Sequence, residues 1–334
     1  MIKCAVIGAA GYTGVELVKI LLNHPKFEIT YLGGSEEGRL DELYPAFKGV
    51  FEAKIEKLDV KKVSQSCELA FLALPHKTSM EVAKPLLDEG VKVVDLSADY
   101  RLKLENYEAF YTAHKDREHL KEAVYGLPEI FRKEIEKASL VANPGCYPTA
   151  TLLALIPFLP FIDSSYPLMI DAKSGVSGAG KKCSSKTHFV TIDENIFAYN
   201  PIKHRHSVEI KEKLEILGKE LFEINFVPHL LPISRGMLVS AYVMLKDDIE
   251  PLEVLRDFYI NEPYIRIKES PVDVKSVAGT HFCDIFAYKN EKTLFLSSAI
   301  DNLLRGASSQ AVVNANIMMG LEEGLGIPNI AYIP

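Results

Sequence analysis

The sequence predicts an α/β protein of two domains, the first built on a parallel sheet and the second of α+β type. The chain has 334 residues, and one domain usually holds about 100–200 residues. In the first part, short apolar runs typical of buried strands alternate with helical patterns, which favours βαβ units. Beyond Leu152 the strand-like runs are longer and fewer helices separate them, which favours an antiparallel or mixed sheet.

Each domain contributes a series of predicted elements. In the first they are strand Lys3–Ile7, helix Val15–Leu22, strand Glu28–Leu32, strand Leu69–Leu74, helix Ser79–Glu89 and strand Val91–Leu96. In the second they are strands Leu168–Ala172, Phe222–Val227, Leu238–Leu245 and Thr293–Ala299. A final helix, Gly306–Leu321, is rich in small residues and is expected to pack back on the first domain. The predicted domains are therefore residues 1–145 plus 302–334, and residues 146–301.

Composition and charge argue against several classes of protein. The net charge is -7, whereas a nucleic-acid-binding protein needs a basic face. Lysines and arginines are scattered, and no apolar run reaches the length of about 18 residues that suggests a membrane span. The five cysteines are widely separated, which is typical of reduced thiols rather than disulfides or a metal site. We expect a cytoplasmic protein with no metal.

A glycine-rich turn joins the first predicted strand to the first predicted helix. Gly8, Gly11 and Gly14 permit a tight turn, close approach of the backbone to a pyrophosphate, and close packing of helix on strand. The helix N-terminus offers N–H groups to the phosphates, and Tyr12 and Thr13 of the turn are predicted cofactor contacts. A plain βα turn is the alternative, because the spacing differs by one residue from GxGxxG. The position within the first βαβ unit favours a Rossmann dinucleotide-binding domain.

The end of the second predicted strand distinguishes NADP from NAD. NAD-binding proteins usually place an acidic residue there to hold the ribose 2′-hydroxyl. Here Ser35 follows the strand and Arg39 lies close behind it. A hydroxyl and a guanidinium suit a 2′-phosphate, because both can donate hydrogen bonds to it. Glu36 and Glu37 are the competing feature, since either carboxylate could reach the ribose. The prediction is NADP.

Cys146 differs from the other cysteines in its surroundings. It follows Asn143-Pro144-Gly145 and precedes an apolar helical run, Thr149–Phe158. The thiol is therefore predicted at a helix N-terminus, where the helix dipole favours the nucleophilic thiolate. The remaining cysteines are predicted to be buried beside apolar runs or, in the last case, to lie in a loop: Cys4, Cys67, Cys283 and Cys183.

A nucleophilic cysteine needs a proton partner, and His204-Arg205-His206 is the closely spaced histidine pair of this sequence. On a strand the two imidazoles would face the same side. If a helix begins near Ser207, Glu209 would lie in its first turn and could orient one of them. A charged strand end or an adventitious metal site is the alternative. Zinc-dependent hydrolysis is disfavoured, because the sequence has no HExxH motif.

These blocks and several others resemble the N-acetyl-gamma-glutamyl-phosphate reductase family. The matching segments run nearly end to end, and their order is more specific than any single segment. They are Gly8–Gly14, Ala73-Leu74-Pro75-His76, Asp95–Arg101, Tyr125–Pro128, Asn143–Pro148, Ser174–Gly180, His204-Arg205-His206, Arg235-Gly236 and Asp301-Asn302-Leu303.

The resemblance implies the fold shared by aspartate-semialdehyde and glyceraldehyde-phosphate dehydrogenases, with a Rossmann domain and an α+β catalytic and oligomerisation domain. It also implies a homodimer or homotetramer. The implied reaction is the NADPH-dependent reduction of N-acetyl-glutamyl 5-phosphate to N-acetyl-glutamate 5-semialdehyde, with release of phosphate, in arginine biosynthesis. Cys146 would form a thioester. Protonated His204 would be the acid/base, with His206 as the alternative.

The same resemblance implies further contacts. The cofactor would meet Pro75, Ser177, Gly178 and Asn302, and the substrate would meet Arg101, His206, Glu209 and Arg235. Arg101 would neutralise the substrate phosphate. The alternative for this arginine is an ion pair with the nearby Asp95 or Asp99.

The chain departs from the family beside the histidine pair. Val208 stands where proline is usual, and Ile202-Lys203 stands where Gly-Gly is common. Both departures lie on the substrate side, so N-acetyl-aminoadipyl phosphate and aspartyl phosphate stay open as substrates. A cysteine–histidine hydrolase also stays open, although it would have no use for the glycine turn. A redox sensor that binds NADP without turnover is the remaining alternative.

Overall fold

The computed structural model describes residues 1–333 and divides them into two compact units. The first unit comprises Met1–Pro144 and Ala307–Pro328, and the second comprises Gly145–Gly306 together with the residues from Asn329 onward. Residues 302–306 therefore lie in the second unit, whereas the sequence analysis assigned them to the first. The carboxylate of Asp301 explains the difference, because it accepts hydrogen bonds from the N–H groups of Leu303 and Leu304 at 2.8 and 3.0 Å.

The first unit contains an eight-stranded sheet in the order β3-β4-β2-β1-β5-β6-β8-β7. Its strands are β1 Ile2–Ile7, β2 Phe27–Gly34, β3 Gly38–Arg39, β4 Lys54–Lys57, β5 Leu69–Leu72, β6 Lys92–Asp95, β7 Val124–Tyr125 and β8 Leu140–Ala142. Its helices are α1 Tyr12–Leu22, α2 Leu40–Leu43, α3 Val60–Ser66, α4 Ser79–Asp88, α5 Leu104–Phe110, α6 Arg117–Glu122, α7 Pro128–Ile135 and, near the end of the chain, α12 Ser308–Met318. All strand pairs are parallel except β3 with β4. The predicted parallel α/β domain is confirmed.

The central strands of this sheet are covered on both faces. In β1 the residues from Cys4 to Ile7 are buried, and every residue of β5 is buried. Strands buried on both faces are continuous apolar runs rather than alternating patterns. β1 lies between β2 and β5, where the strand order reverses direction along the chain. In α/β sheets, ligands bind at the carboxyl ends of strands at such a point.

Helix α12 belongs to the first unit, as predicted for the segment Gly306–Leu321. All eleven of its residues are buried, and the Ser308 hydroxyl donates to the carbonyl oxygen of Thr13 at 2.9 Å. Alanine and serine make up much of the helix, which lets α12 approach α1 closely. The small-residue composition therefore reflects helix packing within this unit.

The second unit contains a seven-stranded mixed sheet in the order β10-β11-β9-β12-β15-β14-β13. Its strands are β9 Leu168–Gly175, β10 Phe197–Ala198, β11 Ile224–Leu231, β12 Met237–Met244, β13 Ile265–Ile267, β14 Cys283–Asn290 and β15 Thr293–Ile300. Its helices are α8 Cys146–Leu155, α9 Phe189–Ile192, α10 Arg205–Gly218 and α11 Pro251–Phe258. Two strand pairs, β9 with β11 and β13 with β14, are parallel, and the others are antiparallel. The predicted mixed sheet is confirmed.

The helix α8 forms the centre of the second unit. Nine of its ten residues are buried, and Cys146 alone is partly exposed. The Ser298 hydroxyl of β15 donates to the carbonyl oxygen of Ala150 at 2.7 Å, and Tyr259 donates to that of Leu153 at 2.6 Å. The helix is therefore fixed along its length, and its first residue is the one presented to solvent. Within residues 1–333, no helix is long and apolar enough to cross a membrane.

Candidate active site

The turn from β1 to α1 leaves no room for side chains at two of its three glycines. Gly8 has a φ of +91°, and a Cβ there would lie 2.2 Å from the carbonyl oxygen of Ala73. A Cβ on Gly14 would lie 2.2 Å from the carbonyl oxygen of Gly8. At Gly11 a Cβ would meet only ordinary contact at 3.5 Å. Gly11 is the N-cap of α1, so its small size keeps the helix N-terminus approachable, and the turn fits a pyrophosphate.

The end of β2 presents the residues predicted to distinguish NADP from NAD. Ser35 is exposed. The Arg39 guanidinium is 42% exposed and lies 3.1 Å from a carboxylate oxygen of Asp41 and 3.5 Å from one of Glu52. Of the two competing glutamates, Glu37 lies 3.3 Å from Lys54 Nζ. The arrangement fits a 2′-phosphate, because a half-exposed guanidinium can turn towards an anion.

Arg101 is buried in the first unit and donates to main-chain oxygens. Its Nε donates to the carbonyl oxygen of Asn143 and its Nη2 to that of Leu96, both at 2.7 Å. The nearby Asp99 accepts from the N–H groups of Lys77 and Met80 at 2.7 and 3.1 Å. These bonds fix the guanidinium beside the segment that leads to Cys146 in sequence. Pro75 lies exposed in the loop after β5, and its predicted contact with the cofactor stays a prediction.

Cys146 is the first residue of α8, and Gly145 is the N-cap with extended backbone angles. The thiol is partly exposed, whereas Cys4, Cys67 and Cys283 are buried and Cys183 is exposed. Burial raises the pKa of the Cys4 thiol well above its ordinary value, so that cysteine stays protonated. Cys146 alone combines exposure with a helix N-terminus, where the dipole favours the thiolate.

Helix α10 fixes the turn in front of Cys146. The Glu209 carboxylate, only 1% exposed, accepts the N–H of Gly145 at 3.0 Å. A charge-assisted hydrogen bond of this kind is stronger than a neutral one. Glu209 therefore positions the N-cap of α8, in addition to its predicted contact with the substrate.

His204 and His206 do not lie on a strand, and the helix considered from near Ser207 is present. Helix α10 begins at Arg205, and His204 is its N-cap: His204 Nδ1 accepts the N–H of His206 at 3.1 Å. The short polar segment between turns gave no periodicity from which to recognise this cap. The two rings still meet, with centroids 4.9 Å apart, and each ring lies 5.8 Å from the ring of Tyr147.

The hydrogen bond to His204 Nδ1 assigns the tautomer of the neutral ring. Because Nδ1 accepts, the proton of the neutral imidazole is on Nε2. Burial, with a smaller contribution from the Arg205 charge, lowers the pKa of His204 to about 4. The imidazole is therefore neutral at pH 7, whereas the resemblance implied a protonated His204 as the proton donor.

A tyrosine pair that the sequence analysis missed borders these histidines. Tyr199 donates its hydroxyl hydrogen to the Tyr147 hydroxyl oxygen at 3.0 Å, and Tyr147 donates to the carbonyl oxygen of His229 at 3.3 Å. Burial raises the pKa of Tyr199 to about 12, so its hydroxyl stays protonated. No spacing in the sequence signals this pair, because β10 brings Tyr199 to α8 from 52 residues away.

The segment Asp301–Gly306 collects the remaining predicted residues of the second unit. Asn302 Oδ1 accepts the N–H of Gly236 at 2.7 Å, and its Nδ2 donates to Ser177 Oγ at 3.0 Å. The neighbouring Gly178 is exposed. Arg235 Nε lies 3.2 Å from a carboxylate oxygen of Asp301. Asn302 thus connects the Ser174–Gly180 loop to the Arg235-Gly236 turn.

Gly306 is a site residue that the sequence analysis missed. A Cβ on Gly306 would lie 2.6 Å from the Cβ of Cys146 and 2.6 Å from the carbonyl oxygen of Asn302. Real Cβ atoms do not approach other atoms so closely, so this position requires glycine. The glycine in the segment that follows Asp301-Asn302-Leu303 was the available signal, but only the fold reveals its neighbour.

The structure thus groups the predicted residues within each unit. The first unit holds the glycine turn, the Ser35 and Arg39 region and Arg101. In the second unit, the starts of α8 and α10 bring together Cys146, His204, His206 and Glu209, and the Asp301–Gly306 segment joins Ser177, Arg235 and Asn302. In the described part of the chain, no group of three or more His, Cys, Asp or Glu side chains could hold a metal ion.

Family models match both units of this chain. A model described as semialdehyde dehydrogenase, NAD binding domain, matches residues 3–138, and one described as semialdehyde dehydrogenase, dimerisation domain, matches residues 146–302. The predicted dinucleotide-binding domain is thereby confirmed. The boundary between the matches falls at the turn that carries Cys146.

Curated relatives match over the whole chain. An N-acetyl-gamma-glutamyl-phosphate reductase from Sulfurovum sp. is 61% identical over 100% of both chains, and one from Wolinella succinogenes is 55% identical over 100% of this chain and 99% of that protein. Aspartate semialdehyde dehydrogenase II from Vibrio cholerae has a TM-score of 0.71 at 16% identity, covering 96% of this chain and 98% of that one. The last match confirms the predicted fold.

Replacing Gly306 with alanine should displace Cys146. The added methyl group has no space, and overpacking of this kind costs about 1–3 kcal/mol. Urea unfolding followed by circular dichroism should show this loss, together with a changed rate of Cys146 alkylation. The matched control is Gly38→Ala, where a Cβ meets nothing within 4 Å. Equal stability and equal alkylation rates for Gly306→Ala and the unmodified protein would contradict the close approach.

Acid should destabilise the protein partly through His204. Its folded pKa of about 4 lies below the ordinary 6.5, so between these values the unfolded chain binds more protons and stability falls as pH falls. His204→Asn keeps an N-cap acceptor but removes this titration. Relative to that variant, the free energy of unfolding of the unmodified protein should fall by up to about 3 kcal/mol between pH 7 and pH 4. One pKa unit corresponds to about 1.4 kcal/mol.

Urea titrations of both proteins at a series of pH values measure the difference. Above pH 7 the difference between them should be constant. Parallel pH profiles down to pH 4 would show that His204 is not the neutral, buried group described above.

Proposed function

The chain belongs to the N-acetyl-gamma-glutamyl-phosphate reductase family, and we propose that it carries out that family's reaction through a thioester on Cys146. The reaction is the reduction of N-acetyl-glutamyl 5-phosphate to N-acetyl-glutamate 5-semialdehyde with release of phosphate, in arginine biosynthesis. The protein is thus a phosphorylating semialdehyde dehydrogenase that uses NADPH. The observation that supports the thioester is the partly exposed thiol at the first residue of α8.

The nucleophile is held by the residues on either side of it in the fold. The N-terminus of α8 stabilises the thiolate through the partial positive charge of the helix dipole. Glu209 fixes the preceding residue through the N–H of Gly145, and Gly306 lies against the Cys146 Cβ. A nucleophile that is fixed on both sides needs little reorganisation to attack.

The covalent steps proceed at the sulfur. The thiolate attacks the acyl carbon, the bond from that carbon to the phosphate oxygen breaks, and inorganic phosphate leaves. Arg101 is proposed to neutralise the departing phosphate. NADPH, when bound, would supply the hydride, and the thioester carbon that accepts it becomes the alkoxide form of a hemithioacetal on Cys146. The carbon–sulfur bond then breaks, which releases the aldehyde and regenerates the thiolate.

The two histidines stabilise the charge on the acyl oxygen and accept the proton of the Cys146 thiol. His204 in its Nε2–H form donates a hydrogen bond to the acyl oxygen as negative charge develops there. This replaces the imidazolium donor that the sequence predicted, because the pKa of His204 is lowered to about 4. His206, whose ring lies beside His204, is the candidate to take the proton from the Cys146 thiol, as the Nδ1 of His204 is occupied by the helix cap.

Cofactor contacts are proposed from the residues that fit them. The pyrophosphate would be held by the turn residues Gly8, Gly11, Tyr12, Thr13 and Gly14. Ser35 and Arg39 would bind the 2′-phosphate, and Pro75, Ser177, Gly178 and Asn302 are proposed as further cofactor contacts. The close approaches at Gly8 and Gly14 support the first of these assignments.

The function is tested by phosphate-dependent reduction of NADP with three aldehydes: N-acetylglutamate semialdehyde, aminoadipate semialdehyde and aspartate semialdehyde. The first should be preferred by at least about tenfold in kcat/KM. A preference for aminoadipate semialdehyde would move the assignment to the longer substrate, and the exposed Lys203 beside His204 is where such a preference would arise. Cys146→Ser should lose about 1,000-fold or more in kcat. Full turnover by that variant would eliminate the thioester.

The oligomer is proposed to form through one face of the second sheet. Met169, Tyr242 and Tyr288 are 45%, 46% and 64% exposed. Tyr242 is the cross-strand partner of Met169 and of Phe295, which in turn pairs with Tyr288. These four side chains form an apolar row across β9, β12, β15 and β14. A second copy of this chain is the proposed partner, because the matching family model describes a dimerisation domain.

Charge introduced into this row should weaken the dimer. Tyr242→Asp would place a carboxylate at the centre of the apolar row. In a twofold-symmetric dimer the same row of the second copy lies opposite, so the carboxylate would be buried without a positively charged partner. Sedimentation velocity should show a dimer for the unmodified protein and a shift towards monomer for the variant. Tyr166→Asp, at another exposed tyrosine of the same unit (50% exposed), is the matched control. An unchanged sedimentation coefficient for Tyr242→Asp would place the interface elsewhere.

A further inference from the structure

The last described segment of the chain, Asn329–Ile333, is attached to the second unit. The N–H of Tyr332 donates to the carbonyl oxygen of Ala278 at 2.9 Å. Its ring lies against Gly279, where a Cβ would be 2.9 Å from two ring carbons. Gly279 also has a φ of +89°, a conformation that favours glycine. The loop at Gly279 therefore packs directly against the Tyr332 ring, and a side chain at position 279 would prevent this contact.

The Tyr332 ring contacts the guanidinium of Arg235. The tyrosine hydroxyl oxygen lies 3.3 Å from Arg235 Nη1, and the guanidinium carbon lies 5.6 Å from the ring centroid. Both a hydrogen bond and a cation–π contact therefore act on the same side chain. On another edge, Arg235 Nε lies 3.2 Å from Asp301 Oδ2.

Gly279 connects these contacts. Its N–H donates to Asp301 Oδ2 at 2.8 Å, the same oxygen that pairs with Arg235. The Tyr332 ring packs against the side of Gly279 where other residues carry a Cβ. One buried carboxylate thus holds both the arginine and the loop on which the tyrosine rests. A planar guanidinium contacted along two edges has few remaining orientations.

We propose that Tyr332 is a positioning residue for substrate binding: it holds Arg235 in the orientation set by Asp301, so the Asn329–Ile333 segment forms part of the substrate site. The inference rests on the proposed role of Arg235 as a contact to the anionic substrate. Tyr332 itself need not touch the substrate, since its effect is transmitted through the arginine.

The test separates binding from turnover. Tyr332→Ala should raise KM for N-acetylglutamate semialdehyde about 5- to 10-fold, with kcat within about twofold, since two contacts to a cation that is only 18% exposed are lost. Tyr332→Phe keeps the ring and should raise KM about 2- to 3-fold. Tyr166→Ala, at a tyrosine of the same unit that is 50% exposed, is the matched control and should match the unmodified enzyme.

A double-mutant cycle completes the test. Arg235→Ala should raise KM by itself, and adding Tyr332→Ala should then have no further effect, because the residue it positions is gone. If Arg235→Ala raises KM but Tyr332→Ala does not, the positioning role is overturned. If Arg235→Ala leaves KM unchanged, the proposed role of Arg235 fails, and the inference fails with it. Additive effects in the double variant would also overturn it.

Discussion

The buried carboxylate of Asp301 organises the second unit. It is 0% exposed and accepts the N–H groups of Leu303, Leu304 and Gly279 while pairing with Arg235. A buried carboxylate must find such partners, because leaving it unpaired would cost several kcal/mol. The hydrogen bonds to this carboxylate therefore fix the conformation of the Asp301–Gly306 segment.

The Asp301–Gly306 segment contacts Cys146 through Gly306, which packs against the Cys146 Cβ. The side chain of Asn302 connects the same segment to Ser177 and Gly236, so three predicted site elements share one support. Geometry in this unit is thus imposed by main-chain hydrogen bonds to buried side chains rather than by surface ion pairs. Such support holds Cys146 within the small tolerance that its proposed attack on an acyl carbon would demand.

Local signals predicted the parts of the site that a single segment can specify. Gly8 and Gly14 were predicted from the strand–turn–helix pattern, and Cys146 from the proline and glycine that precede an apolar helix. The character of each sheet also followed from sequence: strand-like and helical patterns alternate in the first domain, and longer strand-like runs with fewer helices between them follow in the second.

Features that depend on distant partners escaped prediction. The sequence left a strand and a helix open around His204 and did not identify its role as a cap, since a three-residue polar block carries no periodicity. The Tyr147–Tyr199 pair and the contact of Gly306 with Cys146 join residues far apart in the chain. The pKa of His204 likewise depends on burial, which no local pattern records. Residues 302–306 were assigned to the wrong side of a boundary for the same reason, because Asp301 decides where they lie.

The contact between Gly306 and Cys146 has a consequence for the architecture of the chain. Gly145 and Gly306 are the two ends of the continuous part of the second unit, and this contact brings those ends together. In the first unit, the Asn143 side-chain amide donates to the carbonyl oxygen of Ala307 at 3.2 Å, so the flanking ends also meet. The continuous part of the second unit, Gly145–Gly306, therefore has the form of a domain inserted into the first unit at one point. A short linker from Pro144 to Ala307 would join the two parts of the nucleotide-binding unit directly, so the chain is divisible at the turn that carries Cys146.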